Sequence, residues 1–91
     1  MAVTRDEAKL YLRIDNDAED ALIDSLIQSS TTTVENVLRH PLSDYTTLPE
    51  DIKTAILYGV AYLYENRDTA DFDAMIKLMR AMLFSYRDEV F

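Results

Sequence analysis

Helix breakers are scarce in this sequence, which contains one glycine and two prolines among its 91 residues. In the segments between these breakers, apolar residues recur at intervals of three and four positions rather than at alternate positions. That spacing is typical of amphipathic helices, and no segment has the pattern of a strand. The sequence therefore predicts an all-α fold, a small bundle of about four helices with a central apolar helix. We expect residues 1–91 to form a single helical domain.

The first helix is predicted to begin at Thr4 and to extend to about Leu12. Residues Thr4 to Glu7 match a capping box, in which each of these two side chains accepts a hydrogen bond from the other residue's backbone amide. Ala8, Tyr11 and Leu12 follow helical spacing and are expected to form the buried face of this helix.

The second helix is expected to follow the cap-forming cluster at residues 15–17 and to continue to about Arg39. Its middle, residues 29–33, consists only of serine and threonine, which are weak helix formers. Two interpretations of this run stay open. The helix is bent or locally weak there, or the run is a strip of small residues that another helix approaches closely.

The third helix is predicted from near Thr47 to about Arg67, with a second capping box between Thr47 and Glu50. It is apolar around its circumference, and such a helix must be buried on all sides. Either it is the central helix of the core, or part of its surface is an interface between subunits. In the second case Tyr58 and Tyr62 are the candidate anchors, because tyrosine combines a large contact area with a polar tip.

The last helix is predicted from about Asp71 to Tyr86. Its expected buried face consists of apolar residues at helical spacing: Phe72, Met75, Ile76, Met79, Leu83 and Tyr86. The tail at 87–91 is expected either to fray or to insert into a neighbour. The single glycine, Gly59, lies within the third helix, where it favours close packing of another helix.

The charge balance argues against nucleic-acid and membrane partners. The chain has 17 acidic and 9 basic residues and a net charge of -8, which repels the phosphates of DNA and anionic lipids. The longest apolar run, Ala55 to Tyr64, is far shorter than the roughly 20 residues that span a bilayer. The first residues lack the apolar segment of a secretory signal, so we expect an intracellular protein with no membrane association.

The sequence lacks the motifs of an enzyme or a metal site. Asp15, Asp17 and Glu19 alternate like the start of a calcium loop, but Asp20 and Leu26 occupy the positions that require glycine and glutamate. The lone histidine, His40, has no ligand partners at zinc spacing, and the chain has no cysteine. We therefore expect no catalytic residue, no metal and no cofactor.

Two stripes of opposite charge lie on the first two predicted helices. The basic stripe consists of Arg5, Lys9 and Arg13. The acidic stripe consists of Asp17, Asp20 and Asp24. Each stripe recurs at the spacing that places side chains on one side of a helix.

Several segments together resemble a known family. In the first half they are Asp6-Glu7-Ala8-Lys9, Leu12-Arg13-Ile14-Asp15 and Asp20-Ala21-Leu22-Ile23. In the second half they are Leu48-Pro49-Glu50-Asp51-Ile52-Lys53, Val60-Ala61-Tyr62-Leu63-Tyr64-Glu65-Asn66-Arg67 and Tyr86-Arg87. This pattern covers nearly the whole chain and is similar to the tailed-phage head-to-tail connector proteins, also described as phage DNA-packaging or head-completion proteins.

The resemblance implies a structural subunit of a ring of about twelve identical copies beneath the portal. The ring would bind the portal protein and tail-completion or stopper proteins, and DNA would pass through it without specific binding. The subunit would be found in the host cytoplasm during assembly and then in the virion neck, of a phage or a prophage. Neighbouring subunits in a ring present two different surfaces to each other, so the basic and acidic stripes are candidates for that contact.

A second class of function also fits an apolar helix exposed on a small acidic domain. The chain would then be a helical adaptor or regulator that binds a different protein and stays a monomer or dimer. Oligomeric state separates the two hypotheses, since only a connector forms rings, by itself or on a portal.

Overall fold

A computed structural model describes residues 2–86. In chain order the helices are α1 (Arg5–Leu12), α2 (Asp20–Leu38), α3 (Glu50–Glu65) and α4 (Phe72–Leu83), with short 3-10 helices at Leu42–Asp44 and Phe84–Tyr86. No strand occurs in this range. The prediction of an all-α bundle of four helices is confirmed, whereas the predicted behaviour of the tail at 87–91 lies outside the described residues.

Two of the four helices begin at a side-chain cap. The hydroxyl of Thr4 accepts a hydrogen bond from the amide of Glu7 at 3.1 Å, and the Glu7 carboxylate accepts one from the Thr4 amide at 3.0 Å. This confirms the capping box predicted at α1. Asp71 caps α4 in a simpler way, by accepting a hydrogen bond from the amide of Ala74 at 3.0 Å.

The other two helices begin differently from the prediction. Asn16 accepts a hydrogen bond from the amide of Ala18 at 3.0 Å, which forms a local turn, and α2 starts only at Asp20. The second capping box was wrong, because Pro49 occupies the N-cap position of α3 and no side chain caps it. Proline suits the start of a helix since it has no amide hydrogen to satisfy there.

α3 is the central helix of the bundle. It runs antiparallel to α2, since Glu19 pairs with Tyr64 near one end and Ser30 with Ile56 farther along. Both α1 and α4 pack against α2 and α3. The fully buried side chains of α3 lie within about 140° of its circumference, and they are Ile52, Ala55, Ile56 and Val60. The large side chains on its other sides are half-buried: Leu57, Tyr58, Tyr62 and Tyr64. The prediction of a central apolar helix is therefore confirmed.

The serine and threonine run at 29–33 continues the helix without interruption. Ser30 is completely buried and donates a 2.7 Å hydrogen bond to the carbonyl oxygen of Ile56. Across from it, a Cβ atom on Gly59 would collide with the Ser30 hydroxyl and would lie 2.6 Å from Cε of Met79. The close approach of α3 supports the small-residue interpretation at Ser30 alone, since Ser29 and Thr32 are exposed.

The described part of the chain contains no helix that is both long enough and apolar enough to cross a membrane.

Candidate subunit interface

The two predicted anchor tyrosines are held by their own chain. Tyr58 and Tyr62 are half-buried, and their ring centroids lie 6.2 Å apart. The hydroxyl of Tyr62 accepts a hydrogen bond from the amide of Asp71 at 2.9 Å, which ties α3 to the start of α4. Burial raises the pKa of Tyr58 above its ordinary value. Their role as anchors between subunits stays a prediction.

A third tyrosine fastens the end of α3 to the segment before α2. The hydroxyl of Tyr64 donates a hydrogen bond to the carboxylate of Glu19, which raises the pKa of Tyr64. Arg67 stacks over the Tyr64 ring, 4.9 Å from its centroid, and its Nη1 lies 3.1 Å from the same carboxylate. The chain thus uses its tyrosine hydroxyls mainly for internal connections.

The two charged stripes meet each other within one chain. Arg5 binds Asp24 with two atoms, Nε at 2.9 Å and Nη2 at 2.5 Å from the two carboxylate oxygens. Lys9 Nζ lies 2.9 Å from Asp20 and 3.2 Å from Asp17. These hydrogen bonds lower the pKa of Asp24 and raise the pKa of Lys9. The stripes therefore fasten α1 to α2.

The packing of α1 on α2 thus pairs two cations, Arg5 and Lys9, with three carboxylates of the same chain. The role of the two stripes in a contact between subunits stays a prediction. Arg13 differs from the rest of its stripe. It is exposed, takes a left-handed backbone conformation with φ 62° just after α1, and forms no ion pair within residues 2–86.

Large apolar side chains are exposed on α1 and at α4, rather than on α3. On α1 they are Leu10, which is 81% exposed, and Tyr11. On α4 and the turn after it they are Phe72, Leu78 and Phe84, the last of which is 76% exposed. Large exposed apolar side chains in groups are typical of surfaces that bind other protein.

Two of these exposed residues, Tyr11 and Phe72, were expected to be buried. The core side of α1 lies between Ala8 and Leu12, and Tyr11 is about 100° away from Leu12 around the helix axis. Phe72 is the first residue of α4 and is 54% exposed beside α2. A short helix buries a narrow side, so helical spacing alone overestimated both faces.

Sequence reasoning also missed Leu10 and Leu78. Leu10 lies on the polar side of α1, between Asp6 and Arg13, whereas Leu78 lies at the edge of the apolar side of α4, beside the exposed alanines Ala74 and Ala81. For Leu10 the available signal was a large apolar residue on the polar side of an amphipathic helix, since nothing in the monomer's core requires it there.

The outer side of α2 carries two shallow grooves. One has a volume of about 500 Å³ and is lined by Ser25, Gln28, Ser29, Thr32, Thr33 and Phe72. The other has a volume of about 490 Å³ and is lined by Ala2, Asp24, Ile27, Gln28, Thr31, Thr32 and Glu35. The first contains no titratable side chain, and its hydroxyl and amide groups suit binding rather than acid–base chemistry.

The described residues also lack the side-chain groupings of a metal centre. No set of three His, Cys, Asp or Glu side chains in the described range is placed to hold a metal ion. The Nε2 atom of His40 lies 2.8 Å from the hydroxyl of Tyr45, with which it shares a hydrogen bond.

Comparison with known proteins identifies the family. A family model described as "Phage gp6-like head-tail connector protein" matches residues 3–90, nearly the whole chain. Searches of curated proteins and of solved structures gave no significant match. The helical architecture, the surface-exposed apolar side chains on two separate helices and the family match agree, and the chain belongs to the phage gp6-like head-tail connector family.

Proposed function

We propose that this protein is a structural subunit of a ring that joins the portal to the tail and lines the channel through which DNA leaves the head. Membership of the connector family supports this role. The partners would be further copies of the chain, about twelve in the virion, together with the portal protein and tail-completion or stopper proteins. The subunit would assemble in the host cytoplasm and end in the virion neck.

The observation that carries the ring proposal is the position of α1 and α4 on opposite sides of α2. Asp20 and Asp24 of α2 bind α1, whereas Ser29 and Thr33 of α2 border Phe72 of α4. Nine residues separate Asp20 from Ser29, and also Asp24 from Thr33, which is about two and a half helical turns. The side of α2 that binds α1 and the side that lines the groove beside Phe72 therefore differ by about 180° around the α2 axis.

Exposed apolar side chains on opposite sides of a subunit favour head-to-tail assembly. Such a contact joins two different surfaces, and it closes into a ring when the rotation between neighbours divides a full circle. An isologous dimer, by contrast, needs only one self-complementary surface. The exposed Leu10 on one side and the exposed Leu78 on the other fit the first arrangement.

The acidity of the chain suits a channel for DNA. Each copy has a net charge of -8, and several cations are already paired with carboxylates of the same chain: Arg5, Lys9, Lys53 and Arg67. A ring of such subunits presents few cations to the phosphates, so DNA would slide through without being held.

Assembly on a portal is the decisive experiment. The purified chain is mixed with the portal protein of the phage or prophage that encodes it, and the mixture is observed by negative-stain electron microscopy and light scattering. We expect rings with a central hole bound to one end of the portal. A chain that stays a monomer or dimer and does not bind the portal would contradict the connector role and favour a helical adaptor.

The channel-lining part of the proposal has its own test. Fluorescence anisotropy with labelled duplex DNA at low salt should show no binding, either by the free subunit or by its rings. Tight association that weakens as salt is added would overturn the repulsive channel wall, because such salt dependence comes from cations bound to phosphates.

A further inference from the structure

We propose that α1 is a releasable arm, which ion pairs hold closed on α2 and α3. In the open form α1 leaves the bundle as a unit while α2, α3 and α4 stay folded. The opening is a property of each subunit by itself and does not require the proposed ring. Three features support it: the small apolar contact of α1, the exposure of its ion pairs and the position of a hinge.

The segment that contains α1 buries little apolar surface. Among residues 2–19, only Val3 and Ala8 are completely buried, and Leu12 and Ile14 are half-buried. By contrast, α2 and α3 each have six buried residues. The stabilisation from burial is roughly proportional to the apolar area that is removed from water. Apolar contacts therefore hold α1 much less firmly than they hold α2 and α3 together.

Five ion pairs surround this small apolar contact, four toward the acidic stripe and one toward α3. Arg5 and Lys9 bind the acidic stripe at distances of 2.5–3.4 Å. Glu7 lies 2.8 Å from Nζ of Lys53. None of the paired side chains is completely buried, since their exposure ranges from 13% for Lys9 to 93% for Asp17. Dissolved ions therefore reach these pairs, and added salt weakens them.

The chain has a hinge between α1 and α2. Arg13 takes a left-handed backbone conformation with φ 62° directly after α1, and residues 15–18 are all exposed. At the far end of this segment, Glu19 accepts a hydrogen bond from the hydroxyl of Tyr64 near the end of α3. Glu19 therefore stays attached to the bundle when α1 opens, and the bend falls within residues 13–18.

The other three helices share a contact in which α1 takes no part. Ser30 of α2 joins Ile56 of α3 through a buried hydrogen bond of 2.7 Å. Met79 of α4 reaches the neighbouring Gly59. Because this meeting point is independent of α1, the three helices can stay packed after α1 has left. Opening of α1 is thus a local event that requires less free energy than unfolding of the whole bundle.

Opening uncovers an apolar bed on α2 and α3. Ile23 and Ile27 each lie three residues, about 60° around the helix axis, from a carboxylate that binds α1. Ile27 also lines a groove together with Ala2, just before α1. Val60 lies seven residues from Lys53 and therefore on the same side of α3. In the closed subunit these three apolar residues are at most 1% exposed, so exposing them keeps the open form a minority.

Hydrogen exchange followed by mass spectrometry tests the release. In low salt, amides at 8–12 in α1 should exchange faster than amides at 27–37 in α2 and at 55–63 in α3. In about 1 M NaCl the Debye length falls to about 3 Å, so exchange in α1 should become about tenfold faster. Exchange in α2 and α3 should not accelerate, because salt does not weaken apolar contacts. Equal protection of all helices in both solutions would overturn the release.

Lys9→Met isolates the ionic part of the attachment. Methionine keeps a long unbranched side chain and suits a helix, but it has no charge. Exchange in α1 should be about fivefold faster in low salt, and added NaCl should have a smaller effect than in the wild type. Lys77→Met is the matched control. It changes the net charge by the same amount, but Lys77 is exposed on α4 and forms no ion pair within residues 2–86, so exchange in α1 should stay at the wild-type rate.

Two further outcomes would contradict the releasable arm. Fast exchange in α1 that neither NaCl nor Lys9→Met alters would show that ion pairs do not hold α1 closed. Faster exchange throughout α2, α3 and α4 in Lys9→Met would show that the bundle unfolds as a whole and that α1 does not leave it separately. Binding to a portal is a separate measurement, so either result would leave the connector role standing.

Discussion

The buried hydroxyl of Ser30 donates a 2.7 Å hydrogen bond to the carbonyl oxygen of Ile56, which joins α2 to α3 opposite the missing side chain of Gly59. Met79 of α4 reaches the same point. Three helices therefore meet at one small polar contact inside an otherwise apolar core. The stability of the bundle should be sensitive to any added or removed atom at this position.

Gly59→Ala should destabilise the protein even though alanine favours helices. The new methyl group would collide with Ser30 and lie 2.6 Å from Cε of Met79. Overpacking costs about 1–3 kcal/mol, whereas the gain in helix propensity is about 1 kcal/mol. The contacts are close enough to favour the upper part of the overpacking range, so urea unfolding should show a net loss of up to about 2 kcal/mol. Thr54→Ala, on the exposed side of the same helix, is the control and should change stability by less than about 0.5 kcal/mol. An unchanged stability of Gly59→Ala would contradict this packing.

Ser30→Ala should remove the hydrogen bond to Ile56 and cost about 1 kcal/mol. In combination with Gly59→Ala, the total loss should be smaller than the sum of the two single losses, because the hydroxyl that collides with the new methyl group is absent. Ser29→Ala lies on the exposed side of α2 and should have almost no effect. Strictly additive free energies of unfolding would show that the two sites are not in contact.

Tyr62→Phe should weaken the connection between α3 and α4. The tyrosine hydroxyl accepts a hydrogen bond from the amide of Asp71, and its loss leaves that amide without this acceptor. We expect a loss of about 1 kcal/mol, measured by thermal or urea unfolding. Tyr11→Phe is the matched control, since Tyr11 is exposed and no described residue binds its hydroxyl. Equal stabilities of the two variants would be evidence against the Tyr62 contact.

Acid should destabilise the bundle through the carboxylates that fasten α1. Hydrogen bonds from Arg5 and Lys53 hold the pKa values of Asp24 and Glu7 below their ordinary values of 3.8 and 4.5. At a pH between the folded and the unfolded pKa values, the unfolded chain therefore binds more protons than the folded chain. The contribution of these two carboxylates to folding stability is fully present above their unfolded pKa values and is lost as the pH falls through their folded pKa values. The melting temperature should decrease below about pH 4.5.

The matched test of this pH dependence is Asp24→Asn, which removes one of the two groups. The variant should be less stable than the wild type at neutral pH and should lose less stability on acidification. Identical pH profiles of the two proteins would show that the Arg5 to Asp24 pair does not contribute. High salt should also reduce the difference in stability between Asp24→Asn and the wild type, since both Arg5 and Asp24 are partly exposed and salt screens their attraction.

Local features of the sequence were sufficient to predict the helices and one cap. The capping box at Thr4 was correct because both partners lie within four residues, and helical spacing is a property of each segment by itself. The box at Thr47 failed because Pro49 competes for the same helix start. Helix boundaries depend on such competition between neighbouring residues, and a sequence pattern alone does not show which residue will start the helix.

The surface of the protein, by contrast, was decided by the tertiary structure. The sequence contains both charged stripes, yet only the packing of α1 on α2 places Arg5 against Asp24 and Lys9 against Asp20. In the same way, the sequence contains every large apolar residue, but the fold decides that Leu10 is exposed. Burial and pairing depend on residues that are distant in the chain, and their positions are known only once the helices have packed. The sequence by itself determined an acidic four-helix chain of the connector family, and the packing of α1 and α4 on opposite sides of α2 decided which surfaces are left to bind a neighbour.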